Sequence, residues 1–138
     1  MRLILIPTLE AVIASNKYVC EQGSNPHHCN DPGKVESAIS TAFYPGSYPF
    51  QQGGLSRVAG ALCFYLVKSH AFLDGNKRTG ALVAITFLNQ HGLDLEYPLD
   101  ENRNVNGLAE VIENCAASKV SKDQLMDWFE SHKAYLED

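Results

Sequence analysis

Two apolar helical runs with a short polar stretch between them limit what this chain can fold into. From Leu55 to about Ser69, Leu55, Val58, Ala59, Leu62 and Leu66 share one helical face. Cys63, Phe64, Tyr65 and Val67 widen that face almost all round. A second run extends from Gly75 or Asn76 to His91, with Gly92 as its stop. Its Ala81, Leu82, Val83, Ala84, Ile85, Phe87 and Leu88 leave little polar surface. Helices apolar on most sides are packed on several sides, so both runs predict core helices, and the second reads as the central one. Between them lies His70-Ala-Phe-Leu-Asp-Gly-Asn-Lys-Arg-Thr-Gly80. A polar cluster is thereby held where two buried helices meet.

The remaining elements read as scaffold. Arg2 to Ile6 predicts a short strand, with Leu93 to Tyr97 as its pairing partner. Pro7 and Thr8 open a helix that carries Leu9, Val12, Ile13 and Val19 inward and ends before Gly23. Ser24 to Asn30 is a loop, and Asp31-Pro32 starts the next helix with a capping carboxylate and a first-turn proline. Phe43-Tyr-Pro-Gly-Ser-Tyr-Pro49 cannot remain helical. Its aromatic residues Phe43, Tyr44 and Tyr48, with Phe50, suit either a flap over a site or partner, or a connector pinned to the core. Val105, Leu108, Val111 and Ile112 mark a further helix in which Gly107 is a weak point. Ser121 and Gln124 form a capping box for the last one, whose inner side is Leu125, Trp128 and Phe129. The expected fold is all-α in the main: a compact bundle of about six helices, with at most a minor short β-element, in a single domain over residues 1–138.

The net charge of −5 argues against a general nucleic-acid binder, whose affinity rests on many basic contacts to phosphate. No stretch approaches the ~20 apolar residues of a membrane span. Leu3 to Ile6 is too short for a secretory signal, so the expected compartment is the cytoplasm. Cys63 and Cys115 fall in helical runs and read as reduced packing residues. Cys20 and Cys29, with His27 and His28, match no common zinc spacing and are expected in a surface loop.

Residues 70–80 carry the chemistry. Histidine exchanges its proton near neutrality, so His70 suits a general base. Asn76, Lys77 and Arg78 occupy the first turn of the second helix, where unpaired amides and the helix dipole favour an anion. Arg78 can grip phosphate oxygens in pairs, and Gly75 lets backbone approach a ligand closely. Asp74 would repel phosphate there unless Mg²⁺ bridged the two; its other reading is a helix N-cap. Phe72 is the structural anchor of the turn. These are the parts needed to transfer a group from a nucleoside triphosphate to a hydroxyl. His91 and His132 sit at helix ends and have no expected catalytic part. No phosphate-binding Gly-x-x-x-x-Gly-Lys loop and no Gly-x-Ser-x-Gly elbow occurs.

His-x-Phe-x-Asp-Gly-Asn-Lys-Arg-Thr, from His70 to Thr79, resembles the signature of the Fic/Doc superfamily and is most like its Doc branch, the death-on-curing toxins of bacterial toxin–antitoxin modules. The segment from Asp31 to Ser37, the aromatic stretch 43–49 and the helix over 55–70 are also similar to that family. The resemblance implies a Fic-type bundle. It makes His70 the base for a target hydroxyl, Phe72 the anchor, Asp74 the Mg²⁺ ligand, and Gly75, Asn76 and Arg78 the anion hole. Fic proteins move AMP from ATP to a protein hydroxyl. Here Lys77 and Ala81 replace the glycine and second arginine of the AMP-transfer pattern. Both changes resemble the Doc branch, whose known member phosphorylates elongation factor Tu and stops translation. A lysine that fills the anion hole would turn the triphosphate round and bring its γ-phosphate to the reactive position. Self-inhibiting members carry Ser/Thr-x-x-x-Glu-Gly/Asn. Tyr97 precedes Glu101-Asn102 and Ala109 precedes Glu113-Asn114 at the hydroxyl position, so neither pair completes it. Inhibition is therefore expected from a separate antitoxin whose C-terminal tail folds on the toxin. Two other readings stay open: AMP transfer at the same site, and a catalytically silent helical module that only docks a partner.

Overall fold

The computed structural model describes residues 4–43 and 53–136. In chain order the elements are α1 (Leu9–Gln22), α2 (Pro32–Phe43), α3 (Leu55–Ser69), α4 (Asn76–Gln90), β1 (Leu93–Leu95), β2 (Leu99–Asp100), β3 (Val105–Asn106), α5 (Gly107–Ala116), α6 (Lys122–His132) and β4 (Lys133–Tyr135). The fold is mainly helical, as expected. The capping signals act where the sequence puts them. Thr8 accepts the Ala11 N–H at 3.1 Å, and the Asp31 carboxylate accepts the Lys34 N–H at 3.3 Å. Ser121 and Gln124 exchange reciprocal bonds of 3.1 and 2.9 Å. Gly107 is the first residue of α5 rather than an interior weak point, and Asn106 caps that helix by accepting the Ala109 N–H at 3.0 Å.

The central helix is α3, not α4. α3 packs against α4, α6 and α2, whereas Thr86, Asn89 and Gln90 leave one side of α4 in solvent. Glycines set how close these partners come. A Cβ on Gly60 would lie 2.9 Å from the Cα of Met126 in α6. A Cβ on Gly80 would lie 2.9 Å from Val67 Cγ2 and 3.2 Å from the Cys63 carbonyl oxygen in α3. Ser56 of α3 also donates a hydrogen bond to Glu130 of α6.

The strand expectation is half right. β1 forms, but its antiparallel partner is β4, with Leu93 opposite Tyr135 and Leu95 opposite Lys133. Of the segment expected to pair with β1, Arg2 and Leu3 lie outside the described residues, and residues 4–6 form no strand. The Leu5 N–H instead donates to His91 Nε2 at 3.0 Å, and His91 Nδ1 lies 2.8 Å from the Phe87 carbonyl oxygen. The buried imidazole therefore carries its proton on Nδ1 and uses Nε2 to hold the N-terminal segment. β2 and β3 make a separate short hairpin.

Phe43 is 1% exposed and sits edge-on to Phe87, with ring centroids 5.3 Å apart. It belongs to the core and not to a docking surface. Tyr44, Tyr48 and Phe50 lie outside the described residues. The four cysteines are free thiols. Burial pushes the Cys63 and Cys115 thiols up, partly offset for Cys115 by Lys68, so both pack as neutral groups. Among the described residues no helix is long and apolar enough to cross a membrane.

Candidate active site

α3 stops because His70 turns into the left-handed region, at φ 51° and ψ 36°. Ser69 supports the turn: its hydroxyl donates to the Leu66 carbonyl at 2.9 Å and accepts the Ala71 N–H at 3.4 Å. The His70 ring is left exposed while Ala71 and Phe72 are buried behind it. Phe72, the position expected to anchor the turn, is 4% exposed.

The backbone behind the histidine is braced from an unexpected side. The loop before α2, read from sequence as a surface connector, pairs with the motif. The Asn30 N–H donates to the Ala71 carbonyl at 2.9 Å, and the Leu73 N–H donates to the His28 carbonyl at 2.9 Å. Cys29 thus lies opposite Phe72 in an antiparallel bridge. The contribution of residues 28–30 is main-chain hydrogen bonding.

Asn76 clamps the same turn. Its Oδ1 accepts the Phe72 N–H at 3.1 Å and its Nδ2 donates to the Phe72 carbonyl at 3.0 Å. Its side chain is therefore spent on the loop, and the group it can offer an anion is its backbone N–H. Asp74 is not the N-cap of α4. That position is Gly75, at φ 76°, and no side chain caps the helix. The Asp74 carboxylate is exposed and, among the described residues, accepts only the neighbouring Gly75 N–H, at 2.7 Å.

Gly75 is required on two counts. Its φ is left-handed, and a Cβ there would meet Cys20 Sγ at 3.1 Å, Val19 Cγ2 at 3.2 Å and Asn16 Nδ2 at 3.3 Å. The close approach is to α1 rather than to a ligand. Asn16, which sequence reasoning missed, is the reason α1 fits here. Buried in α1, it donates to the Asp74 carbonyl at 2.8 Å and to the Thr79 hydroxyl at 3.1 Å.

The two cations are already placed by protein partners. Arg78 donates to the Val19 carbonyl at 3.0 Å, at the negative end of α1. Lys77 pairs with Glu113 of α5 at 2.8 Å, with both side chains about half exposed or more. A cleft of about 340 Å³ opens over this arrangement, and His70, Asp74, Gly75, Asn76, Lys77 and Arg78 all line it. The structure thus brings together the predicted base, carboxylate and cations around an uncapped helix N-terminus. That combination can receive a phosphate chain and deprotonate a hydroxyl beside it. Glu113, considered in the sequence only as part of an inhibitory motif, was not foreseen as the partner of Lys77. Nothing in its own helix marks it, since its partner is 36 residues away.

A family model described as the Fic/DOC family matches residues 8–88. No curated protein sequence matches the chain.

Proposed function

Because the chain belongs to the Fic/DOC family, whose match spans more than half of its length, we propose that it is a Doc-like toxin that transfers the γ-phosphate of ATP to a hydroxyl of a translation protein. Members of the family transfer nucleotide-derived groups to proteins. The observation that carries the reading is the shared cleft: exposed His70 and Asp74 open onto the same space as Lys77, Arg78 and the uncapped start of α4. Elongation factor Tu is the favoured target, on the resemblance of Lys77 and Ala81 to the Doc pattern. An antitoxin tail folding on this protein in the cytoplasm would hold the activity in check.

In the proposed reaction the imidazole of His70 takes the proton of the target hydroxyl. The oxygen forms a bond to the γ-phosphorus as the bond from that phosphorus to the β–γ bridging oxygen breaks, and ADP leaves with the electron pair. Lys77, Arg78 and the first amides of α4 meet the charge on the phosphate oxygens. Asp74 suits Mg²⁺, which takes one or two protein carboxylates and completes its shell with phosphate oxygens and water. Among the described residues no three His, Cys, Asp or Glu side chains form a metal-holding group, so Asp74 would hold the cation together with the nucleotide. When bound, the cation offsets charge between the phosphates.

The test uses ATP labelled on the γ- or the α-phosphate, with Mg²⁺ and a bacterial lysate. The γ-label is expected on a protein band and is expected to vanish with His70→Ala. An α-label would replace this reading with AMP transfer, and no label from either would favour the silent module. Lys77→Gly is expected to shift the product toward AMP transfer if the lysine enforces the reversed nucleotide.

A further inference from the structure

His70 borders two spaces. Besides the phosphate cleft it lines a groove of about 430 Å³ between α2 and α3, and it is the one lining residue the two have in common. Two helical stripes make the groove. Lys34, Ser37, Ala38 and Thr41 recur at helical spacing along α2, and Tyr65, Lys68 and Ser69 do so at the end of α3. The Asp31 N–H donates to the Ala71 carbonyl at 3.2 Å, which fixes the start of α2 beside the end of α3. Lys34 is in the first turn of α2 and Lys68 is two residues before His70, so both fall at the His70 end of the groove. Among the described residues neither ammonium pairs with a carboxylate. Lys68 Nζ donates to the Ser118 hydroxyl at 2.5 Å and to the Cys115 carbonyl at 3.4 Å, both neutral. The Asp31 carboxylate accepts the backbone N–H of Lys34 rather than its ammonium.

We propose that this groove receives the acceptor segment of the target protein and selects a hydroxyl flanked by aspartate or glutamate, with Lys34 and Lys68 holding the flanking carboxylate. The proposal rests on the reading of His70 as the base of a group transfer. Such a base must face donor and acceptor at once, and His70 opens onto one space on each side. The cations divide in the same way. Lys77 and Arg78 line the cleft assigned to the phosphates, and Lys34 and Lys68 line the groove. The groove cations have no protein carboxylate to neutralise them, so an acidic segment is the complementary occupant. An extended segment advances about 3.3 Å per residue. Lysines at the His70 end therefore meet a carboxylate one or two residues from the reacting hydroxyl, and they act on the choice of acceptor rather than on the chemistry.

The experiment measures, by fluorescence anisotropy, binding of the intact protein to fluorescein-labelled peptides Ala-Ala-Xaa-Thr-Xaa-Ala-Ala in which Xaa is Asp, Asn or Lys. The Asp peptide should bind about five-fold more tightly than the Asn peptide, and the Lys peptide most weakly. The difference should collapse in about 0.5 M salt. Lys34→Glu should abolish or reverse the preference; the position is exposed, and a first-turn carboxylate suits a helix. Lys17→Glu makes the same charge change at an exposed position of α1 outside the groove and should leave the preference intact. Neither variant should change binding of inorganic tripolyphosphate with Mg²⁺, read by calorimetry. Equal binding of the Asp and Asn peptides, or no binding of either, would overturn the proposal. So would a preference that survives Lys34→Glu, which would send the carboxylates to Lys77 and Arg78 instead. The peptides are read without nucleotide, so the two readings fail separately. A missing acidic preference with the γ-label still transferred fells the groove alone, whereas a preference with no label from ATP fells the transfer and with it the acceptor role.

Discussion

Asn16 shows how much of the site rests on single residues outside the motif. Its amide satisfies the Asp74 carbonyl and the Thr79 hydroxyl in the same buried pocket. Asn16→Ala would take the partner from the buried Thr79 hydroxyl and leave the Asp74 carbonyl with only the Cys20 thiol at 3.6 Å, and a buried group short of its hydrogen bond costs about 1–3 kcal/mol. The expected outcome is that loss in urea unfolding, together with a drop of roughly ten- to a hundredfold in label transfer as the Asp74 turn loosens. Unchanged transfer would mean that the turn is held without it. Glu113 makes the opposite case. Its pair with Lys77 is solvent-exposed on both sides, so removing it should alter stability by less than about 0.5 kcal/mol. Glu113→Gln should nevertheless strengthen tripolyphosphate binding about three-fold, because the lysine no longer has a competing carboxylate. Calorimetry checks this, and weaker binding would show that Glu113 orients the lysine productively. His70, Asp74, Lys77 and Arg78 were legible in the sequence because they are contiguous and chemically unusual together. Asn16 was not, because a polar residue on a helix carries no mark that it faces a turn 58 residues away.

At the scale of elements, helix ends were legible and neighbours were not. Ser121 with Gln124, Asp31 with Pro32, and Thr8 act through local bonds, so their effect is written within a few residues. Which of two apolar helices lies at the centre depends on what covers them, and periodicity in α3 and α4 does not say. The strand pairing failed for a related reason. β1 has three residues, too few to specify a partner, and Lys133–Tyr135 carries no strand pattern of its own. The junction of α3, α6 and β4 has a measurable signature. Lys133 and Ser56 both donate to the Glu130 carboxylate and hold it below its ordinary value of 4.5. A depressed carboxylate contributes stability above its unfolded value and loses it as pH falls through the folded one. The group is partly solvated, so the contribution should be about 0.5 kcal/mol and should weaken in high salt. Melting temperature against pH should therefore fall less steeply below 4.5 for Glu130→Gln than for the parent. Parallel acid limbs would remove Glu130 from the account.

At the scale of the whole molecule, the family match ends at residue 88 while the packing does not. α6 covers α3 with Leu125, Met126 and Phe129, each 3% exposed or less. β4 then returns to β1, with the Glu96 N–H donating to the His132 carbonyl at 2.8 Å and the Leu136 N–H to the Gly92 carbonyl at 3.0 Å. α5 supplies Glu113, the partner of Lys77 in the motif. Three buried side chains of this size contribute about 1.5–3 kcal/mol each, as much together as the lower part of the ~5–15 kcal/mol that holds a typical domain. A chain cut after residue 92 keeps every residue of the His70–Gly80 motif, yet it exposes the α3 face beneath α6. It should melt broadly, without a cooperative transition by circular dichroism, bind a hydrophobic dye, and fail to bind tripolyphosphate. A sharp melt with retained binding would mean that the matched region is a folding unit by itself. The geometry argues the other way: α3 ends at His70, the proposed base, and α3 is positioned from both sides, by α4 and α2 from one half of the chain and by α6 from the other.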